Sequence, residues 1–286
     1  MADSKETMSV ENPRIDYTEV IRDLDGFDDV FFNALLQGNP EGTQQLLRTV
    51  LRKPDLVIRR YPGTQQFLKN IYGKSIRMDD YAESTDKVFN TEVQRRSAGA
   101  NPHRARLNSS LLDANVSDPG EDAANLPDTY VIFITEYDVY GAGEPFYEIE
   151  RVVKTTGVDF NDGSHILYVN GAYQGDDPIG WLMHDLHCTN PHDMHDGPLK
   201  ERALYLKENK EGVRTMSDKM NEMMKDITGQ YYQNGMQNGM KVGQNNEKKS
   251  TAMKMIADGE SNERITRYTG LTSAEINHLK SQKTLF

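Results

Sequence analysis

Ser75-Ile76-Arg77-Met78-Asp79-Asp80-Tyr81 and Val88-Phe89-Asn90-Thr91-Glu92-Val93-Gln94 are the two stretches from which the fold is read. In each, apolar and polar residues alternate with the period of two that a β-strand imposes on its side chains. Ile76 and Met78 oppose Arg77 and Asp79, and Phe89, Thr91 and Val93 oppose Asn90, Glu92 and Gln94. Between them, Glu83-Ser84-Thr85-Asp86-Lys87 carries the polar residues of a hairpin turn. A hairpin centred on the Thr85–Asp86 bond sets Asp79 opposite Glu92, with Cβ atoms about 4.5–5.5 Å apart.

Two carboxylates facing each other on one sheet face repel unless a cation lies between them. A hard divalent ion such as Mg²⁺ accepts one or two carboxylates and keeps waters for a phosphate substrate. Gln94, two residues beyond Glu92, projects to the same face and can orient a water or a phosphate oxygen. The plainer alternative is a solvated strand face that happens to carry acids, and a register shift of one residue separates the pair.

A strand ending in Asp, a hairpin, then Glu-x-Gln resembles the active-site hairpin of the PD-(D/E)xK nuclease superfamily. It is most similar to the recombination-promoting nuclease, or PD-(D/E)xK nuclease family transposase, branch, where Gln often replaces the usual Lys. Further blocks recur in that branch's order. They are Asp28-Asp29-Val30-Phe31-Phe32, Gly73-Lys74-Ser75-Ile76-Arg77-Met78-Asp79, Phe89 to Arg95, His103-Arg104-Ala105-Arg106, and Leu126 to Ile134. The resemblance spans roughly residues 25 to 280.

It implies an α/β, restriction-endonuclease-like αβββαβ core with a mixed sheet, followed by an all-helical C-terminal appendage. It also implies a metal-dependent DNA endonuclease acting in recombination, mobile elements or defence. Asp79 and Glu92 match the metal-binding acids, the Val93 carbonyl completes the metal shell, and Gln94 replaces the Lys. Asp29 is the assisting acid of the first helix, with Asp28 its rival. The implied cofactor is Mg²⁺ or Mn²⁺. Lys74, Arg95, Arg104 and Arg106 are the candidate contacts to the DNA backbone. Phe32 and Leu107-Asn108 depart from the family pattern. These departures, with the missing Lys, favour the alternative of a catalytically silent DNA-binding or assembly protein that keeps the fold.

The charge distribution bears on a DNA partner. The chain of 286 residues carries a net charge of −11, which opposes phosphate binding. Between residues 45 and 106, however, thirteen basic residues stand against six acids. That window is net positive around the hairpin, and a local field steers a polyanion despite an acidic total. No apolar run approaches the roughly 20 residues of a membrane span. The start Met1-Ala2-Asp3-Ser4-Lys5-Glu6 lacks the features of a secretion signal. A single cysteine, Cys188, excludes an internal disulfide and suits a cytoplasmic protein.

The domain plan reads as an acidic tail over 1–24, the nuclease-like domain over 25–210, a Gly-punctuated helical linker over 211–248 and a small helical module over 249–286. Within the domain, Asp28 to Leu51 reads as two helices broken near Gly38-Asn39-Pro40. Leu56-Val57-Ile58 reads as a short strand, and Asn101-Pro102 opens a helix. Thr129 to Thr135 reads as a strand buried on both faces; Phe146 to Val153 and Ser164 to Val169 add strands. Helices from Trp181 to about Asn209 close the domain.

His184, Asp185, His187, Cys188, His192, Asp193, His195 and Asp196 supply ligand types suited to zinc, but their spacing fits no standard pattern. The stretch is read as a structural loop, with a zinc metalloprotein centred on it, and dependent on His187, as the alternative. Gly235, Gly239 and Gly243 lie on one helical stripe, suggesting close helix contact or a flexible arm. Three short helices after Thr251 contain a helix-turn-helix-like element, with Ser261 and Thr272 as N-caps. Self-association through these C-terminal helices and DNA reading are both open.

Overall fold

The computed structural model describes residues 17–61, 67–68, 76–117, 120 and 122–283. Three helices open the described chain: α1 (Thr18–Asp23), α2 (Asp29–Leu36) and α3 (Pro40–Val50). α1 lies inside the segment expected to be a tail, because Ile21 is fully buried in the core. The break between α2 and α3 falls where expected. Gly38 adopts a left-handed φ of +68°, and Asn39 caps α3 by accepting from the Gly42 N–H at 3.1 Å, with Pro40 in the first turn.

Leu56-Val57-Ile58 is not a strand. The Leu56 carbonyl accepts from Arg48 Nε at 2.8 Å, and the Ile58 N–H donates to Gln44 Oε1 at 3.1 Å. Side chains of α3 thus take the backbone groups that a strand ladder would have used.

The expected strand through Ser75–Tyr81 is interrupted. β1 (Phe67–Leu68) and β2 (Ile76–Arg77) form a separate antiparallel ribbon. A break at Met78-Asp79 precedes β3 (Asp80–Glu83), which pairs antiparallel with β4 (Lys87–Gln94). The pairs Asp80↔Thr91, Tyr81↔Asn90, Ala82↔Phe89 and Glu83↔Val88 follow the register read from the sequence. Asp79 and Glu92 are therefore the next rung, just past the end of the ladder.

α4 (Pro102–Val116), capped by Asn101 through the Arg104 N–H, then crosses over to β5 (Asp128–Thr135), which runs parallel to β4. β6 (Phe146–Ile149) is followed by a small ribbon, β7 (Val152–Val153) with β8 (Val158–Asp159), and then by β9 (Ser164–Asn170). The main sheet has five strands in the order β3-β4-β5-β9-β6. Its centre is parallel and both edges are antiparallel, so it is mixed. β5 is buried from Thr129 to Thr135, matching its β-branched and aromatic sequence.

Two apolar layers cover this sheet. One face, with Phe89, Val93, Ile132, Ile134 and Val169, packs on α1, α2 and α3. It also packs on α5 (Pro178–His187), α6 (Pro198–Glu208) and the first turns of α7 (Lys210–Ala257). The other face, with Tyr81, Val88, Val131, Phe133 and Tyr168, packs on Ala105, Leu111 and Leu112 of α4. This is α/β architecture. α5 replaces part of the expected histidine loop: Asp177 caps it by accepting from the Ile179 and Gly180 N–H groups at 3.0 and 2.9 Å.

The chain divides into two compact units, the first ending at Asn221 and the second beginning at Glu222. In the second unit the expected separate helix at Thr251–Ala257 is the end of α7, which runs without interruption through Gly235, Gly239 and Gly243. A Cβ built on any of these glycines meets nothing within 4 Å, so no helix contacts the stripe among the described residues. α8 (Asn262–Thr269) and α9 (Ser273–Lys283) follow, joined by left-handed Gly270. Ser261 accepts from the Arg264 N–H, and Thr272 and Glu275 cap each other reciprocally. Ala252, Ile265, Leu271, Ile276 and Leu279 form this unit's own core. Among the described residues no helix is long and apolar enough to cross a membrane.

Candidate active site at the open end of the hairpin

The break before β3 frees Asp79 from the ladder, and the first turns of α2 approach it. Asn33 Nδ2 donates to Asp79 Oδ1 at 3.3 Å and to the Asp29 carbonyl at 2.7 Å. Asp29 and Asn33 are four residues apart on α2 and share a face. Burial raises the Asp79 pKa to about 8, reinforced by the neighbouring charges of Glu92 and Asp29. The Asp29 and Glu92 pKa values are also raised, again chiefly by burial. The three acids named from the sequence thus share one electrostatic environment. Asp28 adds its charge to the Asp29 shift but makes its contacts elsewhere: it accepts from the Asp25 N–H and pairs with Arg95 at 3.6 Å.

Glu92 is 1% exposed, so its carboxylate requires a compensating cation. Arg104 supplies one: its guanidinium donates to Glu92 Oε2 at 2.6 Å and to Gln94 Oε1 at 3.3 Å. Asn90, on the same strand face, donates to Glu92 Oε1 at 3.4 Å. Gln94 is held on its other side by Gly99, where a Cβ would fall 1.8 Å from Oε1.

Carbonyls alternate in direction along a strand. Gln94 O accepts from the Glu136 N–H on the β5 side, so the Val93 carbonyl faces the β3 edge beyond Asp80↔Thr91. The Val93 side chain is core.

The basic residues separate into different roles. Lys74 lies outside the described residues. Arg95 is engaged by Asp25 at 2.5 Å, Asp28 at 3.6 Å and Glu136 at 3.8 Å, a local acidic cluster rather than an open phosphate contact. Arg104 points into the acid cluster. Arg106, with Arg96, is exposed.

Several participants escaped the sequence reading. Asn33 was legible only as an i+4 neighbour of Asp29, and its Oδ1 is buried without a partner. Asn90 Oδ1 and both polar atoms of Asn108 are likewise buried and unpartnered. Asp80, beside Asp79, faces the other side of the sheet toward Tyr61 and Thr43 and is 1% exposed. Burial raises its pKa to about 7. The Tyr61 hydroxyl has one proton for both the Leu36 carbonyl at 2.5 Å and Asp80 Oδ1 at 3.0 Å, an arrangement best satisfied when Asp80 carries a proton of its own.

The cluster's donors are carboxylate and amide oxygens, the set a hard divalent ion uses. The oxygens of Asp29, Asp79 and Glu92 are nevertheless not drawn into a tight three-donor group. Among the described residues, the groups with ligand atoms within 4.8 Å of one another are His184, Asp185 and His195, and Glu148, Glu150 and His165. Comparison with protein-family models, curated proteins and solved structures gave no match.

Proposed function

We propose that this protein is a metal-dependent DNA endonuclease with a restriction-endonuclease-like core, the activity the sequence resemblance implies. The observation that carries the reading is the register that sets Asp79 opposite Glu92 on the rung after Asp80↔Thr91, with Asn33 of α2 bonded to both Asp79 and the Asp29 carbonyl. Burial, with the charges of Glu92 and Asp29, raises the Asp79 pKa, and buried acids perturbed in this way are a frequent mark of a functional site. Asp79, Glu92 and the Val93 carbonyl would hold Mg²⁺ or Mn²⁺. Such an ion supplies a lowered water pKa and stabilisation of the charge that develops on phosphate.

The chain's own groups have separable tasks. Asn33 fixes the Asp79 carboxylate, Gln94 would present an amide to a water or phosphate oxygen, and Arg104 neutralises Glu92. Arg96 and Arg106 face solvent and are suited to backbone contacts, which position DNA without reading its sequence. The roles in recombination, mobile elements or defence, and the cytoplasmic setting, belong to this same reading.

One observation favours a second reading. With Arg104 bound to both Glu92 and Gln94, these two side chains are partnered without a metal, as expected of a silent DNA-binding or assembly protein. Nicking of supercoiled plasmid separates the two. The nuclease reading expects cleavage in Mg²⁺ or Mn²⁺ that chelation stops and Glu92→Gln removes. Salt-sensitive DNA binding without cleavage under either metal would reject it in favour of the second.

A further inference from the structure

The histidine-rich stretch does not act as one loop. His187 is pinned, with Nε2 3.0 Å from the Gly171 carbonyl and its ring 4.5 Å from that of Phe27. His192 pairs with Glu208 at 2.8 Å. The remaining two converge. α5 carries His184 and Asp185, and the chain returns ten residues later to bring His195 against them.

Asp185 is 4% exposed, and its Oδ1 is the meeting point. It lies 2.7 Å from His195 Nδ1 and 3.2 Å from His184 Nδ1, and accepts from the His195 N–H at 3.0 Å. The two imidazoles stand edge to face, 5.4 Å apart. One ligand atom from each of the three residues lies within 4.8 Å of the others. A buried carboxylate needs a compensating cation. Among the described residues its ion-pair partners are these two imidazoles, with no lysine or arginine.

Two imidazole nitrogens and one carboxylate oxygen, open to solvent on the histidine side, form the donor set of a three-ligand zinc site with water in the fourth position. We propose that His184, Asp185 and His195 bind one divalent transition-metal ion of the zinc class, tying the C-terminal turn of α5 to the segment that leads into α6. In binding, each imidazole gives the metal the Nδ1 lone pair and keeps its proton on Nε2. Cys188 Sγ, 3.7 Å from His184 Nδ1, lies at the margin, and burial raises its pKa, which disfavours the thiolate that ligation needs.

Trp181 makes the proposal measurable. It is the only tryptophan in the chain and stacks on His195, with ring centroids 5.8 Å apart. The 286-residue chain carrying Asp79→Asn and Glu92→Gln, which removes the two acids proposed to hold the nuclease metal, is stripped with chelator and titrated with Zn²⁺. Trp181 emission and bound zinc are read together. The expected result is a saturable emission change complete at a 1:1 ratio, with affinity falling by about tenfold or more in His184→Ala and His195→Ala. Both histidines are half-exposed, and circular dichroism checks that the variants are folded. No saturable zinc binding, or an affinity in either histidine variant unchanged from that of the parent, overturns the proposal. The outcome is independent of whether the protein cuts DNA.

Discussion

Arg104 Nη2 lies 2.6 Å from Glu92 Oε2, joining a helix residue that is 40% exposed to a strand carboxylate that is 1% exposed. The asymmetry sets what each partner is worth. Glu92 cannot leave its environment, whereas Arg104 can swing toward solvent or a phosphate. Removing one member of a buried pair costs about 3–5 kcal/mol because the other charge stays buried. Arg104→Ala is therefore expected to destabilise the metal-free protein by about 3 kcal/mol, the low end of that range, since Arg104 is partly solvated. Millimolar Mg²⁺ or Mn²⁺ should recover part of that loss. Urea denaturation with and without metal reads both quantities; a loss that metal leaves untouched would argue against a shared cation seat.

Asp79 and Asp80 set a pH dependence. Their pKa values are raised to about 8 and about 7 from an ordinary value near 3.8. Between about pH 4 and 8 the folded protein therefore holds more protons than the unfolded chain, and stability falls as pH rises. The contribution is fully present below the unfolded pKa and lost on passing the folded one. Lys207, lowered by burial to about 8, acts with the opposite sign only above that value. The urea midpoint is expected to be higher at pH 5.5 than at pH 7.5, with a smaller difference in Asp80→Asn. A flat profile would contradict the buried, protonated acids.

Gly99 offers a test that separates activity from stability. A methyl at this position would lie 1.8 Å from Gln94 Oε1, the end of a flexible side chain. Gly99→Ala should displace Gln94 while changing stability by less than about 1 kcal/mol. Cleavage is expected to fall by about tenfold or more, the scale of a lost orienting group. Unchanged cleavage would remove Gln94 from the mechanism.

On the proposed nuclease reading, Asn33 positions Asp79, and that role is expected to show in the pH profile. Its bond to Asp79 favours the charged carboxylate. Asn33→Ala should raise the Asp79 pKa further and shift the acidic limb of the cleavage profile to higher pH, with kcat reduced more than KM is raised. A drop in rate without a shift of that limb would mean that Asn33 supports only the fold.

Much of this arrangement was legible in the sequence because it is local. The alternation in Val88–Gln94, the turn at Thr85-Asp86 and the Asn-Pro starts of α3 and α4 are each fixed by neighbours a few residues away. So is the unbroken apolar run that became β5. What escaped depends on partners far along the chain. Leu56–Ile58 has strand propensity, but Arg48 and Gln44 claim its backbone groups. The residues before β3 alternate as one strand, yet the chain breaks at Met78-Asp79, where Asp79 bonds Asn33 of α2. Arg95 and Arg104 look alike as basic residues after β4; only the folded positions of Asp25 and Glu92 give them different partners. The grouping of His195 with His184, without His187, likewise needs the turn after α5.

The central claim is that Asp79 and Glu92 work as one site on a phosphodiester. A double-mutant cycle on plasmid-cleavage rate tests it most directly, comparing Asp79→Ala, Glu92→Ala and the pair in saturating Mn²⁺. Groups that act as a unit are strongly non-additive. The account expects each single variant to abolish most of the activity and the double to lose no more. Cleavage that survives either single substitution, or losses that multiply in the double, would contradict it.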